Sequence, residues 1–314
     1  MTTTMISKPR KMSLASIDAA PAASAIRPAM LATRALLMAG TVLVLAAGVS
    51  LFVFTEHTDR YFAWTIASPL TAAFLGAGYL AAACLDGACA RKRVWAEARL
   101  PLPAVLVFTT ITLGITVIHM DKFHMDSFFG WAWVVAYIAL PLAGVVILVH
   151  QRRAPGVDPP STDRLPRWLH RAVQLSGGGL VLLGVALLVS PVRAARLWPW
   201  PLTPLTARAV AAWLLILAVV AVQLTREDDW PRLRPLFASY TVLGVLQMVA
   251  LARYPEQVRW GSPAAWVYVA AVAATTILGL CGYRRATKVT AGPGTPEAIR
   301  PRGHVAGGRA AVRW

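Results

Sequence analysis

"SPLTAAFLGAGY" (Ser68–Tyr79) and "TPLTARAVAAWL" (Thr203–Leu214) open two apolar stretches with nearly the same phrase, 135 positions apart. In each copy a hydroxyl residue stands directly before a proline. Ser68 and Thr203 suit the position before a helix, where the side-chain oxygen accepts from a free backbone N–H. Pro69 and Pro204 then occupy the first helical position, where the missing N–H costs nothing. Aromatic residues precede both copies, Tyr61, Phe62 and Trp64 in one and Trp198 and Trp200 in the other. Such rings favour the headgroup layer of a membrane. Each phrase therefore predicts a helix that starts at a membrane surface.

The likeness extends beyond these phrases. "RALLMAGTVLVLAAGVSLFVF" from Arg34 parallels "RAVQLSGGGLVLLGVALLVSP" from Arg171, and "YFAWTIASPLTA" parallels "LWPWPLTPLTA". "TTITLGITVIH" from Thr109 has a counterpart in "SYTVLGVLQMVA" from Ser239, and "GWAWVVAYIA" in "PAAWVYVAAVA". Four matches in order at near-constant offset predict two four-helix repeats. With an even number of spans in each, the halves face the same way, related by an axis along the membrane normal.

Composition agrees with a membrane setting. The chain has 314 residues, of which 57% are hydrophobic and 14% charged. A soluble domain carries about a quarter charged residues, and crossing hydrocarbon takes about 20 apolar residues in a row. The expected fold class is an all-α integral membrane protein with eight transmembrane helices in two parallel four-helix repeats. The spans are read as Arg34–Phe54, Pro69–Leu85, Pro101–His119, Phe128–Val149, Ala172–Val192, Pro204–Leu224, Pro235–Ala252 and Pro263–Tyr283. Residues 1–33 read as a disordered basic tail, 34–150 as the first repeat and 151–170 as a basic linker. Residues 171–285 form the second repeat and 286–314 a flexible basic tail.

The net charge of +17 follows the same plan. With the N-terminus inside, 24 of the 31 Lys and Arg residues fall in the tails and on the cytoplasmic side of the spans. That asymmetry predicts cytoplasmic termini in a multi-pass protein of the plasma membrane. Cations confined to short loops between apolar spans argue for lipid as the partner and against nucleic acid. The Arg- and Ala-rich composition without Asn suggests a bacterial source. The three cysteines, Cys84, Cys89 and Cys281, are read as reduced apolar filler.

Where the halves differ, chemistry is expected. "IHMDKFHMD" (Ile118–Asp126) faces "ALARYPEQVRWGSP", which has no histidine. His119, Asp121, His124 and Asp126, near Glu56, His57 and Asp59 of the neighbouring loop, combine imidazole and carboxylate. That combination can hold a divalent metal or exchange protons, although a solvated polar loop is the plainer account. The second difference is Arg208, where the first half has Ala73. An arginine one turn inside a span snorkels, pairs with an acid, or lines a polar cavity. Turned inward, Arg208 would join the two capped helix starts, with Thr71, Thr206, Trp64 and Trp200, to receive a small anion.

No phosphate-binding glycine loop, zinc-protease helix motif or soluble catalytic domain is present, so an enzyme is the less favoured class. The expected function is a small-solute carrier or sensor with an outward-facing polar site. The alternatives are a metal-dependent membrane enzyme built on the His/Asp loop, or an assembly subunit without a ligand.

Overall fold

The computed structural model describes residues 25–291. Eight long helices follow in order: α1 (Leu31–Val53), α2 (Pro69–Ala90), α3 (Leu102–Ile118), α4 (Phe128–Arg152), α5 (Arg167–Val189), α6 (Pro204–Glu227), α7 (Trp230–Arg253) and α8 (Pro263–Ala291). Seven are long and apolar enough to cross a membrane, and α3 is an apolar helix of 17 residues. The chain is an all-helical, multi-pass membrane protein. The expected tails lie outside the described residues over 1–24 and 292–314.

The helix starts follow local chemistry. Ser68 Oγ accepts from Thr71 N and Pro69 opens α2. Thr203 and Thr206 cap α6 reciprocally, each side chain accepting from the other's backbone N–H. Ser127 Oγ accepts from Gly130 N at the start of α4. α6 ends at Asp228, whose backbone turns left-handed at φ 42°. Its carboxylate offsets that uncommon conformation by accepting from Leu165 N and contacting His170.

Burial sorts the helices into two shells. In the apolar window of α2, 78% of residues are buried, and in that of α6, 67%; the matching share is about a fifth for α1, α4, α5 and α8. Large apolar side chains cover the outer helices, among them Leu43 on α1, Leu142 on α4, Leu182 on α5 and Val267 on α8. Such a surface suits lipid and not water. α1 packs on α2, α5 on α6, α3 on α4 and α7 on α8, while α2 also lies against α7, and α6 against α3. The α1–α2 contact is close at Gly76, where a Cβ would stand 2.7 Å from Phe52 N.

Connections alternate between two ends. At one end the segments between α1 and α2, α3 and α4, α5 and α6, and α7 and α8 touch one another, through pairs such as Thr65–His124, Thr55–Tyr254 and Ser68–Gln257. At the opposite end Arg99, between α2 and α3, grips Glu227 at the end of α6. Its Nε and Nη2 donate to the two carboxylate oxygens at 2.6 and 3.0 Å. Arg99 also pairs with Asp158 of the α4–α5 linker. Arg232 reaches Glu227 and Asp229, and Asp229 Oδ1 accepts from the backbone N–H groups of Thr162 and Asp163. The linker, expected as a plain basic loop, is therefore bound at both its acids and its backbone.

Several boundaries shift from the sequence reading. α2 runs on to Ala90, α7 begins at Trp230 with Pro235 inside it, and α8 continues past Tyr283. Residues 25–30, expected within the tail, are extended chain pinned by Arg27 N to Val157 O, Ala29 N to Arg93 O and Trp95 N to Arg27 O. Backbone hydrogen bonds to a neighbouring loop fix them where side-chain composition gave no signal.

Two outcomes follow. Gly76→Val should destabilise the protein by about 1–3 kcal/mol through overpacking against α1 backbone, read as a lowered unfolding midpoint in detergent. Glu227→Gln should cost about 3 kcal/mol by removing the buried carboxylate that Arg99 and Arg232 share, leaving them only Asp158 and Asp229, whereas Lys92→Gln, at an exposed ion pair with Glu97, should shift the midpoint little.

Candidate functional site at the loop end of α6

α6 lifts Arg208 to one turn below its capped start, about 6 Å along the axis. There the guanidinium, half-buried, turns sideways. Its Nε donates to Leu188 O at 3.1 Å, near the end of α5, and its Nη1 lies 2.6 Å from His119 Nε2. α3 ends at Ile118, so His119 is the first residue beyond it. Because Arg208 can only donate, His119 accepts through an unprotonated Nε2 and carries its proton on Nδ1. Burial, and then the Arg208 charge, hold the His119 pKa below its ordinary value. Among the described residues no carboxylate forms an ion pair with Arg208.

The other residues of the His/Asp loop disperse. Asp121 ion-pairs with Lys122 at 2.8 Å on the surface, and this contact holds its carboxyl below the usual range. His124 Nε2 meets Thr65 Oγ1 at 3.1 Å. Asp126, Glu56, His57 and Asp59 are exposed. No group of three or more His, Cys, Asp or Glu side chains able to hold a metal forms among the described residues. The expected divalent-metal set is thus not assembled. The 3-10 turn Met120–Lys122 fans its side chains outward, so closeness in sequence gives no common centre.

The residues expected around the helix starts are joined in a different way. Trp200, fully buried, donates its indole N–H to Thr71 Oγ1 at 2.9 Å. Thr206 is consumed by the cap of α6. Gln257 adds a second cap on α2, its Oε1 accepting from Leu70 N and Ser68 Oγ. Beside that cap lies an open groove of about 420 Å³ lined by Ser68, Pro69, Pro201, Glu256 and Arg259, and Arg208 is not among its walls. Satisfied caps leave little free positive end for an anion, and Arg208 leans away toward α3 and α5.

Trp64 sits within an aromatic cluster with Phe62, Phe123 and Trp133, ring centroids 4.5–5.1 Å apart. Its indole N–H and the Thr112 hydroxyl are buried without a protein partner, and both border a small enclosed cavity of about 10 Å³. The indole N–H of Trp198 is buried without a partner as well, whereas that of Trp200 is satisfied. Sequence reading missed one residue outright. Asp86, buried within "AAACLDGACA", is the only acid inside the eight helices apart from Glu227 at the last position of α6. Its nearness to "ARKR" hid it, and a scan for acids within apolar runs finds it.

No family model matches the chain, and neither the curated proteins nor the solved structures contain a match.

The pH response of the Arg208–His119 pair has a definite sign. His119 has a lowered folded pKa, so the folded state takes up its proton less readily than the unfolded chain. Its contribution to stability is complete above the ordinary histidine pKa of about 6.5 and is lost as pH falls through the lower folded value. Thermal midpoints of the wild type and His119→Gln should therefore converge on acidification; a gap that stays constant across that range would contradict the assignment.

Proposed function

We propose that this protein is a carrier or sensor for a small anionic solute, with its site at Arg208 and His119 on the outward face of an eight-span duplicated bundle. One observation carries the reading: the charge of Arg208 lies inside a span and is met by a neutral imidazole and a backbone carbonyl, not by an acid. A guanidinium so placed has N–H groups left to donate, and a carboxylate or phosphate oxygen is the partner that best matches its fork. The solute would replace the histidine contact, and protonation of His119 would add a second positive charge beside it.

The duplicated architecture is supported by features that recur at an offset of 135. The start of α2 matches that of α6, and the turn Met120–Lys122 matches Pro255–Gln257. His124 N donates to Ala63 O as Arg259 N donates to Pro199 O, the donors 135 and the acceptors 136 positions apart. The α2–α7 contact has its counterpart in α6–α3. On that reading α3 counts as the eighth crossing, short because the loop end dips inward. The cation-rich end, with both termini, would face the cytoplasm of a plasma membrane.

The difference between halves also fits a ligand. Arg253 supports Phe52 O at the end of α1 from an exposed position, while the equivalent end of α5 receives Arg208 from inside α6. A scaffold role alone is served by the first arrangement. The second brings a cation into the membrane, at a desolvation cost that a bound anion would offset.

The test is binding and uptake of small carboxylates and inorganic phosphate by the full chain in proteoliposomes. Arg208→Gln should weaken anion binding by about 2 kcal/mol, roughly thirtyfold in Kd. Affinity should rise as pH falls through the His119 pKa in the wild type and stay flat in His119→Gln. Equal binding by wild type and Arg208→Gln across the anion panel would overturn the proposal.

A further inference from the structure

Asp86 stands on α2 one helical turn before its end at Ala90 and is 4% exposed. α1 closes over it, so that a Cβ placed on Gly40 would lie 4.0 Å from Asp86 Oδ2. Among the described residues none donates a hydrogen bond to this carboxyl or forms an ion pair with it. None of the titratable and charged groups on the surrounding elements makes a hydrogen bond or an ion pair with it. On α1, Arg34 Nε donates to Ala90 O. Just past α2, Arg91 donates to Gly87 O; on α2 itself Cys84 and Cys89 are free thiols and Tyr79 is hydrogen-bonded to Tyr137 of α4. α3 offers none, and the inner end of α6 has Arg226 and Glu227, the latter held by Arg99. On α7, Arg232 is taken by Glu227 and Asp229, Arg234 faces Tyr283, and Tyr240 is a phenol. His150 and Arg152 lie in the last turn of α4.

An ionised carboxylate left here would bear a desolvation penalty of several kcal/mol with no cation to offset it. The group therefore rests as the neutral acid. Packing does not require an acid at this place. In the register that pairs Ser68 with Thr203, the matching residue of the second half is Ala221, also buried. Ionisable residues kept inside spans without a structural partner mark paths for protons or ions. A lone carboxyl without further oxygen ligands provides too few donors for a metal cation, which leaves the proton.

We propose that Asp86 is a proton-binding site within the membrane, loaded and released toward the cation-rich end one helical turn away. The carboxylate takes H⁺ from water to give the acid and returns it as the carboxylate; no electron moves and no other bond changes. The inference is independent of the anion site. Only the comparison with Ala221 leans on the duplication, and the burial and isolation of the carboxyl stand without it.

Infrared spectroscopy of the full chain in lipid tests it. The wild type should show a carboxylic-acid C=O band that shifts in D₂O and fades as the buffer passes from mildly acidic to alkaline. Asp86→Asn should lack the band, Asp86→Glu should keep one at a displaced frequency, and Asp86→Ala, which copies the second half, guards against misfolding of the amide variant. Identical spectra for wild type and both Asn and Ala variants at every pH would overturn the proposal. So would an Asp86-dependent band that neither titrates nor exchanges, since that acid would be sealed. Arg208→Gln should leave the band in place, which separates failure of the anion reading from failure of this one.

Discussion

In hydrocarbon a backbone N–H or C=O has no water to turn to, so a helix end drawn below the membrane surface needs a partner in the protein. The loop-bearing end of this bundle is organised around that constraint. Ser68, Thr203 and Gln257 accept from the first N–H groups of α2 and α6. Arg208 and Arg253 donate to the last carbonyls of α5 and α1. The same side chains link one half of the chain to the other: Gln257 to Ser68, Trp200 to Thr71, Arg253 to Phe52. Capping and assembly are thus one set of contacts.

The two ends of the molecule handle charge differently. At the cation-rich end, Arg99, Arg232, Glu227, Asp158 and Asp229 compensate one another and bind three connections together. Opposite charges in close contact make that end a fastening. At the loop-bearing end the cation of Arg208 is met only by dipoles and a neutral ring. The proposed anion site rests on that difference: charges at the first end are compensated within the protein, and that of Arg208 is not. Asp86 is a third case, a carboxyl with no partner of either kind, and its neutral form is the one its surroundings tolerate.

Much of the scaffold was legible in the residues. Ser-Pro and Thr-Pro at the starts of α2 and α6 and the apolar runs of α1, α4, α5 and α8 each state their structure locally, because capping and hydrophobic length act within a few residues. Less of the site was legible. His119, Asp121, His124 and Asp126 look like a cluster in sequence, yet a 3-10 turn sends them to four different surroundings. Thr71 and Trp200 look like ligand contacts and serve as an inter-half hydrogen bond. Asp86 was passed over because helix α2 was expected to end at Leu85, one residue before it.

What the sequence determined alone is the class of object: a helical, multi-pass membrane protein, since apolar length, cap residues and charge placement are properties of short segments. What the tertiary structure decided is which polar groups meet. His119 and Arg208 stand 89 positions apart, Arg99 and Glu227 128, and the isolation of Asp86 depends on how α1 and α7 close over α2. Those relations follow from the packing of whole helices, whose side-chain directions are fixed only when all of them are in place.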